Sequence, residues 1–307
     1  MNLPAGIRRR CTLLFCGLVL VWLPETVCGQ SLSFLRSEVR QSDSDSSSDD
    51  DDDDADPPRK RDDHCHDSYD GSSCYDDTNN DCGLTEALGL AAGWVITMPY
   101  WGPVKWTDDS YRKSGYFPAF PYQHDFGYMM LNPEEAHGVP GPRRPFPWAA
   151  RAHTDYGTNF SGLDWIGGHV LVESTTRFGI ESAFRYYQED VAAGTDSAWL
   201  GDANLFFRFA QSEQVQLRSG IGINFLSDRQ QSDVGFNFTY AGDWYPVKPW
   251  VLSGEFDWGL LGDEQLLHVR LTTGLQYGGL ESYIGYDFLD IGRFQTNSLV
   301  AGLRIWF

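Results

Sequence analysis

Apolar residues alternate with a second set of residues along the last ten positions of the chain, Ser298–Phe307. One face of this segment carries only apolar side chains, namely Leu299, Ala301, Leu303, Ile305 and Phe307. A period of two places successive side chains on opposite faces of a β-strand, so the segment is predicted to be a strand with one face in an apolar environment.

The same period recurs between turn signals from about residue 149 to the end, and it gives about ten predicted strands. The first six are Arg151–Thr158, Trp165–Glu173, Arg177–Gln188, Trp199–Ala210, Val215–Leu226 and Val234–Asp243, and the next three begin near Trp250, Leu267 and Glu281. Tilted strands of this length span a bilayer. The sequence therefore predicts an all-β chain, with a transmembrane antiparallel up-and-down β-barrel over residues 148–307.

The end of the final strand resembles the C-terminal insertion signal of bacterial outer-membrane β-barrel proteins. The residues that carry the resemblance are the terminal Phe307, the apolar Ile305 and Gly302 five positions before the end. The family pattern favours a polar residue where this chain has Val300. The resemblance implies a porin-like barrel in the cell outer membrane, in contact with outer-membrane lipid. It also implies that the barrel assembly machinery recognises the last strand.

The faces predicted to point inward carry acids and bases in rough balance. They are Glu181, Arg185, Asp202, Arg208, Arg218, Glu255, Asp257, Arg270, Asp287 and Arg304. Isolated charges in a narrow lumen are costly, so these side chains are expected to pair and fill the interior. A soluble β-sandwich or lipocalin-like barrel would have the opposite arrangement, with the apolar face inside.

A charge-filled lumen favours a structural or anchoring barrel. A narrow porin-like channel for small solutes or ions is the alternative, since about ten strands leave room for a small pore. An outer-membrane enzyme is a further alternative, but the chain has no Gly-x-Ser-x-Gly motif and its strand histidines lack an evident catalytic pattern. We therefore expect no enzyme and no cofactor.

The N-terminal part divides into two predicted segments. Residues 1–29 combine Arg8–Arg10 with an apolar run and a small-residue cleavage site, as in an export signal. Residues 30–83 contain seventeen acids, five bases and the run Asp49–Asp54, a composition typical of disorder. This extension is expected in the periplasm, where it would meet a cation or a basic partner. Nucleic acid is excluded as a partner because, after the export signal, basic residues cluster only at Arg59–Arg61.

The acidic extension also contains weak candidate metal ligands, which are His64, Cys65, His66, Cys74 and Cys82. Their spacing lacks the Cys-x2-Cys pairs of common zinc sites. A disulfide with one remaining thiol is the simpler interpretation, so no metal site is predicted here.

Residues 84–147 form a connector rich in aromatic residues and prolines. Leu84–Met98 is predicted to be one short helix that stops at Pro99. The uncharged run Ala87–Val104 contains Pro99, Gly102 and Pro103, which argues against a membrane-spanning helix. The connector is either a plug seated on a barrel mouth or a linker whose rings have no such role.

Connection lengths give a predicted orientation. The connections after the third, fifth and ninth strands, near Asp190–Ser197, Ser227–Asp233 and Asp290–Asn297, are expected to be long external loops. Those after even-numbered strands are expected to be short periplasmic turns.

Overall fold

Residues 31–45, 97–109, 114–124, 127–131, 146–191 and 194–307 are described by the computed structural model. Ten strands form one closed antiparallel barrel in which each pairs with its sequence neighbours and the last pairs with the first. The strands are β1 (Trp148–Thr158), β2 (Leu163–Ser174), β3 (Phe178–Val191), β4 (Gly194–Gln211), β5 (Val215–Ser227), β6 (Ser232–Val247), β7 (Trp250–Leu261), β8 (Glu264–Tyr277), β9 (Leu280–Ile291) and β10 (Phe294–Trp306). The predicted ten-stranded up-and-down barrel is confirmed.

The barrel has its apolar face outside. Ile180, Leu205 and Ile284 are 55 to 64% exposed, whereas the charged residues between them on the same strands are buried inside. A soluble barrel cannot expose a continuous apolar band of this kind without aggregating. The soluble alternative, with its apolar face inside, is therefore wrong.

The barrel has two mouths, which carry different parts of the chain. The terminal mouth is the end where β1 begins and β10 ends, and the helical mouth is the opposite end, which carries the N-terminal helix. Connections at both mouths are two to four residues long. The predicted difference in loop length is wrong, because β3, β4 and β6 extend into segments that the sequence pattern assigned to loops.

Two helical segments accompany the barrel. The helix α1 (Ser31–Asp45) lies where disorder was expected, because its few apolar residues find a partner surface inside the barrel. Residues 97–106 are also helical and continue through Pro99 and Pro103, so the predicted stop at Pro99 is wrong. Among the described helices, none is long and apolar enough to cross a bilayer.

Several predicted features lie outside the described residues. They are the export signal over residues 1–29, the run Asp49–Asp54, most of the predicted helix Leu84–Met98 and the five weak metal candidates, His64, Cys65, His66, Cys74 and Cys82.

Candidate functional site

The barrel lumen is divided into three layers along its axis. An apolar layer fills the helical mouth, an ionic layer occupies the middle, and an aromatic layer fills the terminal mouth. The lumen is the candidate functional site because it collects most of the buried charge of the described chain.

The apolar layer is built by α1 and by inward residues at the helical ends of the strands. Leu32, Leu35 and Val39 recur at helical spacing and are at most 1% exposed. They pack against barrel residues that include Leu163, Trp165, Tyr187, Leu200, Leu226, Leu261, Leu289 and Ile291. Burial of an apolar side chain of this size contributes about 1.5–3 kcal/mol, so this face holds α1 in the mouth.

The start of α1 is capped by a barrel carboxylate. The backbone N–H groups of Ser31 and Leu32 donate to the two carboxylate oxygens of Glu189, at 2.8 and 2.9 Å. These N–H groups have no partner within the helix, and an anion at a helix N-terminus is also favoured by the helix dipole. Glu189 therefore holds the N-terminus of α1 against β3.

Two arginines of α1 pair with acids at the rim. Arg36 lies 2.8 Å from Asp228, and Arg40 lies 3.2 Å from the same carboxylate oxygen. Burial raises the pKa of Asp228, but hydrogen bonds from the N–H groups of Gln231 and Gln230 and the nearby Arg40 guanidinium outweigh burial and lower the pKa to about 2. Asp228 is therefore ionised, and able to hold α1, at all but strongly acidic pH.

The aromatic layer comes from the connector. The rings of Tyr128 and Trp306 are 4.8 Å apart, and Tyr128 also packs on Tyr245 and Phe117 with centroids at 5.6 Å. The backbone approaches the barrel closely at Gly127, where φ is +93° and a Cβ atom would lie 2.5 Å from the carbonyl oxygen of Glu213. The described part of the connector thus packs across the terminal mouth, where the sequence left a plug and a linker as alternatives.

The aromatic layer is joined to the ionic layer by arginines. Arg151 lies 5.2 Å from the centre of the Trp306 ring, and Arg208 lies 5.1 Å from that of Phe117. Cation–π contacts that are shielded from water stabilise by about 2 kcal/mol or more. The aromatic rings that face the lumen at this mouth therefore contact the guanidinium groups of the ionic layer.

The ionic layer contains nine acids and six arginines on the barrel strands. The acids are Asp155, Glu173, Glu181, Asp202, Asp243, Glu255, Asp257, Glu281 and Asp287, and the arginines are Arg151, Arg185, Arg208, Arg218, Arg270 and Arg304. Acids therefore exceed arginines by three, which differs from the rough balance expected from the sequence.

Each arginine of this layer contacts at least one acid. Arg218 bridges Glu181 at 3.0 Å and Asp243 at 3.1 Å. Other ion pairs of the same network join Arg304 to Glu281 at 3.0 Å, Arg185 to Asp287 at 3.5 Å, Arg151 to Asp243 at 2.8 Å, Arg270 to Asp155 and Arg208 to Glu173. Long, paired guanidinium groups occupy the bore, and small cavities lie between them.

The surplus of acids is located at Asp202, Glu255 and Asp257. Within the described chain, no arginine or lysine nitrogen lies within 4.0 Å of these three carboxylates. Asp257 instead contacts Nδ1 of His268 at 2.7 Å, and Glu255 lies 4.0 Å from the same atom. Asp202 accepts a hydrogen bond from Asn204.

The ten residues predicted to line the lumen all lie on inward faces. Glu181 and Arg218 pair with each other, as do Arg185 and Asp287. Arg208, Arg270 and Arg304 pair chiefly with acids that the sequence-based set did not include, which are Glu173, Asp155 and Glu281. The predicted set also left out Asp243, Arg151 and Tyr283, which the strand period places on inward faces.

The residues of the predicted insertion signal lie as the alternation requires. Ile305 and Phe307 point outward and are about half exposed. Gly302 faces the lumen, where an added Cβ would lie 2.5 Å from Tyr283 Oη and 2.6 Å from the carbonyl oxygen of Thr154. The backbone of Phe307 pairs with Ala150, so the last residue takes part in closing the barrel.

The 97–106 helix lies outside the barrel near the terminal mouth. Tyr240 donates a hydrogen bond to the carbonyl oxygen of Pro99, and the Tyr100 ring packs against Phe209 at 5.1 Å. Met98 and Trp106 are 57 and 70% exposed. The helix thus extends the apolar exterior of the barrel.

The sequence matches no protein-family model and no curated protein. Solved structures with a similar barrel are bacterial outer-membrane proteins. A loop-deleted form of OmpT, an outer membrane protein of Vibrio cholerae, is 10% identical over 50% of this chain and 62% of its own, with a TM-score of 0.29. The KdgM porin is 9% identical over 51% of this chain and 99% of its own, with a TM-score of 0.25. CdiB from Acinetobacter baumannii is 8% identical over 53% of this chain and 61% of its own, with a TM-score of 0.22. This chain therefore spans less than two thirds of the length of the OmpT form and of CdiB.

Proposed function

We propose that this chain is an outer-membrane β-barrel with a structural, anchoring role and no wide diffusion pore. The observation that supports this role is the filling of the lumen by three successive layers, which are apolar at one mouth, ionic in the middle and aromatic at the other. A pore built for flux needs a continuous water-filled path lined by small polar groups. The role proposed is not enzymatic.

Conductance in planar lipid bilayers tests the proposal. The full-length protein should give no porin-sized current steps. Leu35→Asp places a carboxylate in the apolar layer and should release α1, while Phe34→Asp is the matched control because Phe34 is 43% exposed on the other face of the helix. Even with α1 released, conductance should stay small because the ionic layer remains. Large, stable currents from the unaltered protein would refute the structural role.

The two small cavities of the ionic layer favour a narrow channel as the second candidate function. One is lined by Arg185, Asp202 and His268 among others, and the other by His153, His169 and Glu255. Polar cavities in series are what a restricted ion path would use. Small currents that are selective for one sign of ion, and that change when Glu255 is replaced by Gln, would favour this candidate over the structural role.

Location in the outer membrane is supported by the apolar exterior and by the closed barrel, in which every strand has a hydrogen-bonded neighbour. The protein should fractionate with outer membranes and migrate differently in detergent gels before and after heating. Recovery of the mature protein as a soluble monomer without detergent would refute the membrane location.

The two helical segments bear on the orientation of the N-terminal extension. α1 lies in the helical mouth, whereas the 97–106 helix lies outside the barrel near the terminal mouth. In a membrane-spanning barrel these places are on opposite faces of the bilayer. We infer that the terminal mouth faces the periplasm, because assembly factors would meet the last strand there. The helical mouth, with α1, then lies on the external side of the outer membrane. The N-terminal extension would therefore be at least partly external and not wholly periplasmic.

Labelling of cysteines distinguishes these orientations. After removal of residues 1–29, the chain retains only Cys65, Cys74 and Cys82, all between α1 and the 97–106 helix. Because these cysteines lie between elements at opposite mouths, their side of the membrane does not follow from that of α1, so they are replaced by Ser and one reporter is placed on α1 as Phe34→Cys, at a position that is 43% exposed. Our orientation predicts that a membrane-impermeant maleimide labels this variant on intact cells. Labelling that requires permeabilised cells would support the periplasmic location expected from the sequence.

A further inference from the structure

The three surplus acids lie around one histidine in the ionic layer. Glu255 and Asp257 are two residues apart on β7 and therefore share the inward face. Asp257 is the direct cross-strand partner of His268 on β8. One carboxylate oxygen from each acid and one nitrogen of His268 lie within 4.8 Å of one another.

The ring of His268 is held on both sides. Nε2 lies 3.0 Å from Asp287 and 2.8 Å from an Arg185 nitrogen, and Nδ1 lies 2.7 Å from Asp257. A neutral imidazole has one N–H and an imidazolium has two, so three arrangements are possible. In the first, Nε2 accepts from Arg185 and Nδ1–H donates to Asp257. In the second, Nε2–H donates to Asp287, the Nδ1 lone pair faces Asp257 and Glu255, and the Arg185 nitrogen, which can only donate, turns away from its 2.8 Å contact with Nε2. In the third, the ring is an imidazolium and donates to Asp257 and Asp287 from its two nitrogens.

The balance of charge favours the second arrangement. In the first, the carboxylates of Asp202, Glu255 and Asp257 stay without a compensating cation in a layer that is shielded from water at both mouths, which is costly. In the third, the imidazolium compensates only one of these acids, whereas in the second a divalent cation at Nδ1 compensates two carboxylates at once. A histidine whose other nitrogen donates to a carboxylate is the usual form of a metal-bound imidazole.

Other buried groups of the layer also lack partners. Oε1 of Glu181 and both ring nitrogens of His153 are buried and make no hydrogen bond within the described chain. The side chains of both residues are more than nine-tenths buried. His153 lines the same cavity as Glu255, and Asp202 lines the neighbouring cavity with Asp257 and His268. Buried donors such as Arg151 Nε and Arg304 Nε are unpaired as well, so the layer contains polar atoms of both kinds that the protein's own groups leave unsatisfied, which indicates a bound polar guest.

We propose that Glu255, Asp257 and His268 bind one divalent metal ion in the barrel lumen, with Asp202 beside the site. One imidazole nitrogen and two carboxylate oxygens suit an ion such as Zn²⁺, which accepts both ligand types and leaves a further position for water or Asp202. The ion compensates the acids that exceed the arginines. This site is separate from the weak candidates around Cys65 and does not depend on the presence or absence of a pore.

The test measures metal in the folded, full-length protein. Because the lumen is closed at both mouths, the protein is refolded in detergent with Zn²⁺, or with Co²⁺ as a spectroscopic substitute, and then passed over a chelating resin. We expect about one metal ion per chain and visible Co²⁺ absorption that indicates nitrogen and oxygen ligands. Asp257→Asn and Glu255→Gln keep side-chain shape and should each lower metal affinity at least about ten-fold.

His153→Asn is the matched control, since it changes a buried lumen histidine that is not a proposed ligand, and it should keep the metal. Heat-dependent migration in gels shows whether each variant is folded, and only folded protein is compared. Folded wild-type protein that retains less than about a tenth of an equivalent of Zn²⁺ or Co²⁺ would overturn the proposal. Equal retention by wild type and Asp257→Asn would overturn the ligand assignment.

Discussion

Arg218 is the arginine whose loss tests the ionic layer most directly. It bridges two acids from neighbouring strands, with 3.0 Å to Glu181 and 3.1 Å to Asp243. At these distances each attraction is about 5 kcal/mol for an effective dielectric constant of about 20, most of which offsets the cost of removing the charges from water. Asp243 keeps Arg151 at 2.8 Å, but Glu181 is left with only His169 at 3.8 Å.

Arg218→Ala should therefore lower the free energy of unfolding by about 3–5 kcal/mol, the usual cost of leaving one buried charge without its partner. This corresponds to a factor of about 10² to 10⁴ in the folding equilibrium. Urea unfolding in lipid vesicles, followed by tryptophan fluorescence, measures the change. Arg293→Ala is the control, because Arg293 is 84% exposed and lies 3.8 Å from Glu38, so its loss should cost at most about 1 kcal/mol.

A second variant separates charge from packing. Arg218→Ala combined with Glu181→Gln removes the uncompensated carboxylate, so the double variant should be more stable than Arg218→Ala alone. If Arg218→Ala costs less than about 1 kcal/mol, or if the double variant is no more stable than the single one, the reasoning about a desolvated ionic layer is refuted.

Three further predictions concern assembly and the helical mouth. Phe307→Asp should sharply reduce the yield of barrel in membranes while Tyr277→Asp, at an outward ring of the same mouth that is 89% exposed against 58% for Phe307, should not; equal yields would exclude recognition of the last residue. Gly302→Ala should destabilise the barrel by about 1–3 kcal/mol because its Cβ has no room, whereas Gly279→Ala, with 3.6 Å of clearance, should change stability little in the same urea assay. The pKa of Asp228 is about 2 in the folded protein and ordinarily about 3.9, so its contribution to holding α1 is complete above about pH 4 and lost as the pH falls towards 2; protease cleavage of α1 should rise only in that range.

Strand number and the orientation of side chains could be predicted from the sequence because a period of two is a local signal. Outward Ile284 and Leu303 and inward Arg304 follow from alternation alone, and the structure agrees. The contact that makes Trp306 an unsuitable control for Phe307 could not be predicted from the sequence. Trp306 is 4% exposed and its indole N–H donates to Glu281, so its replacement would disturb folding as well as recognition.

The filling of both mouths could not be predicted, because it depends on contacts between residues far apart in sequence. α1 has a composition typical of disorder, and only Leu32, Leu35 and Val39 at helical spacing indicate that it binds a surface. The ion pairs of the lumen depend on strand register and on which side chains reach across the bore. Arg270 pairs with Asp155, 115 residues away in the chain, and no local pattern indicates this partner.

The three layers are energetically linked, because the strength of an ion pair depends on how well water is excluded from it. α1 and the aromatic layer keep bulk water from the ionic layer, which strengthens its pairs and also raises the cost of each unpaired acid. Removal of one arginine therefore destabilises the barrel more than it widens the bore, since the remaining guanidinium groups, such as Arg151 beside Trp306, still occupy the space. Opening a wide pore would require all three layers to leave together, and the contacts that hold them also hold the barrel.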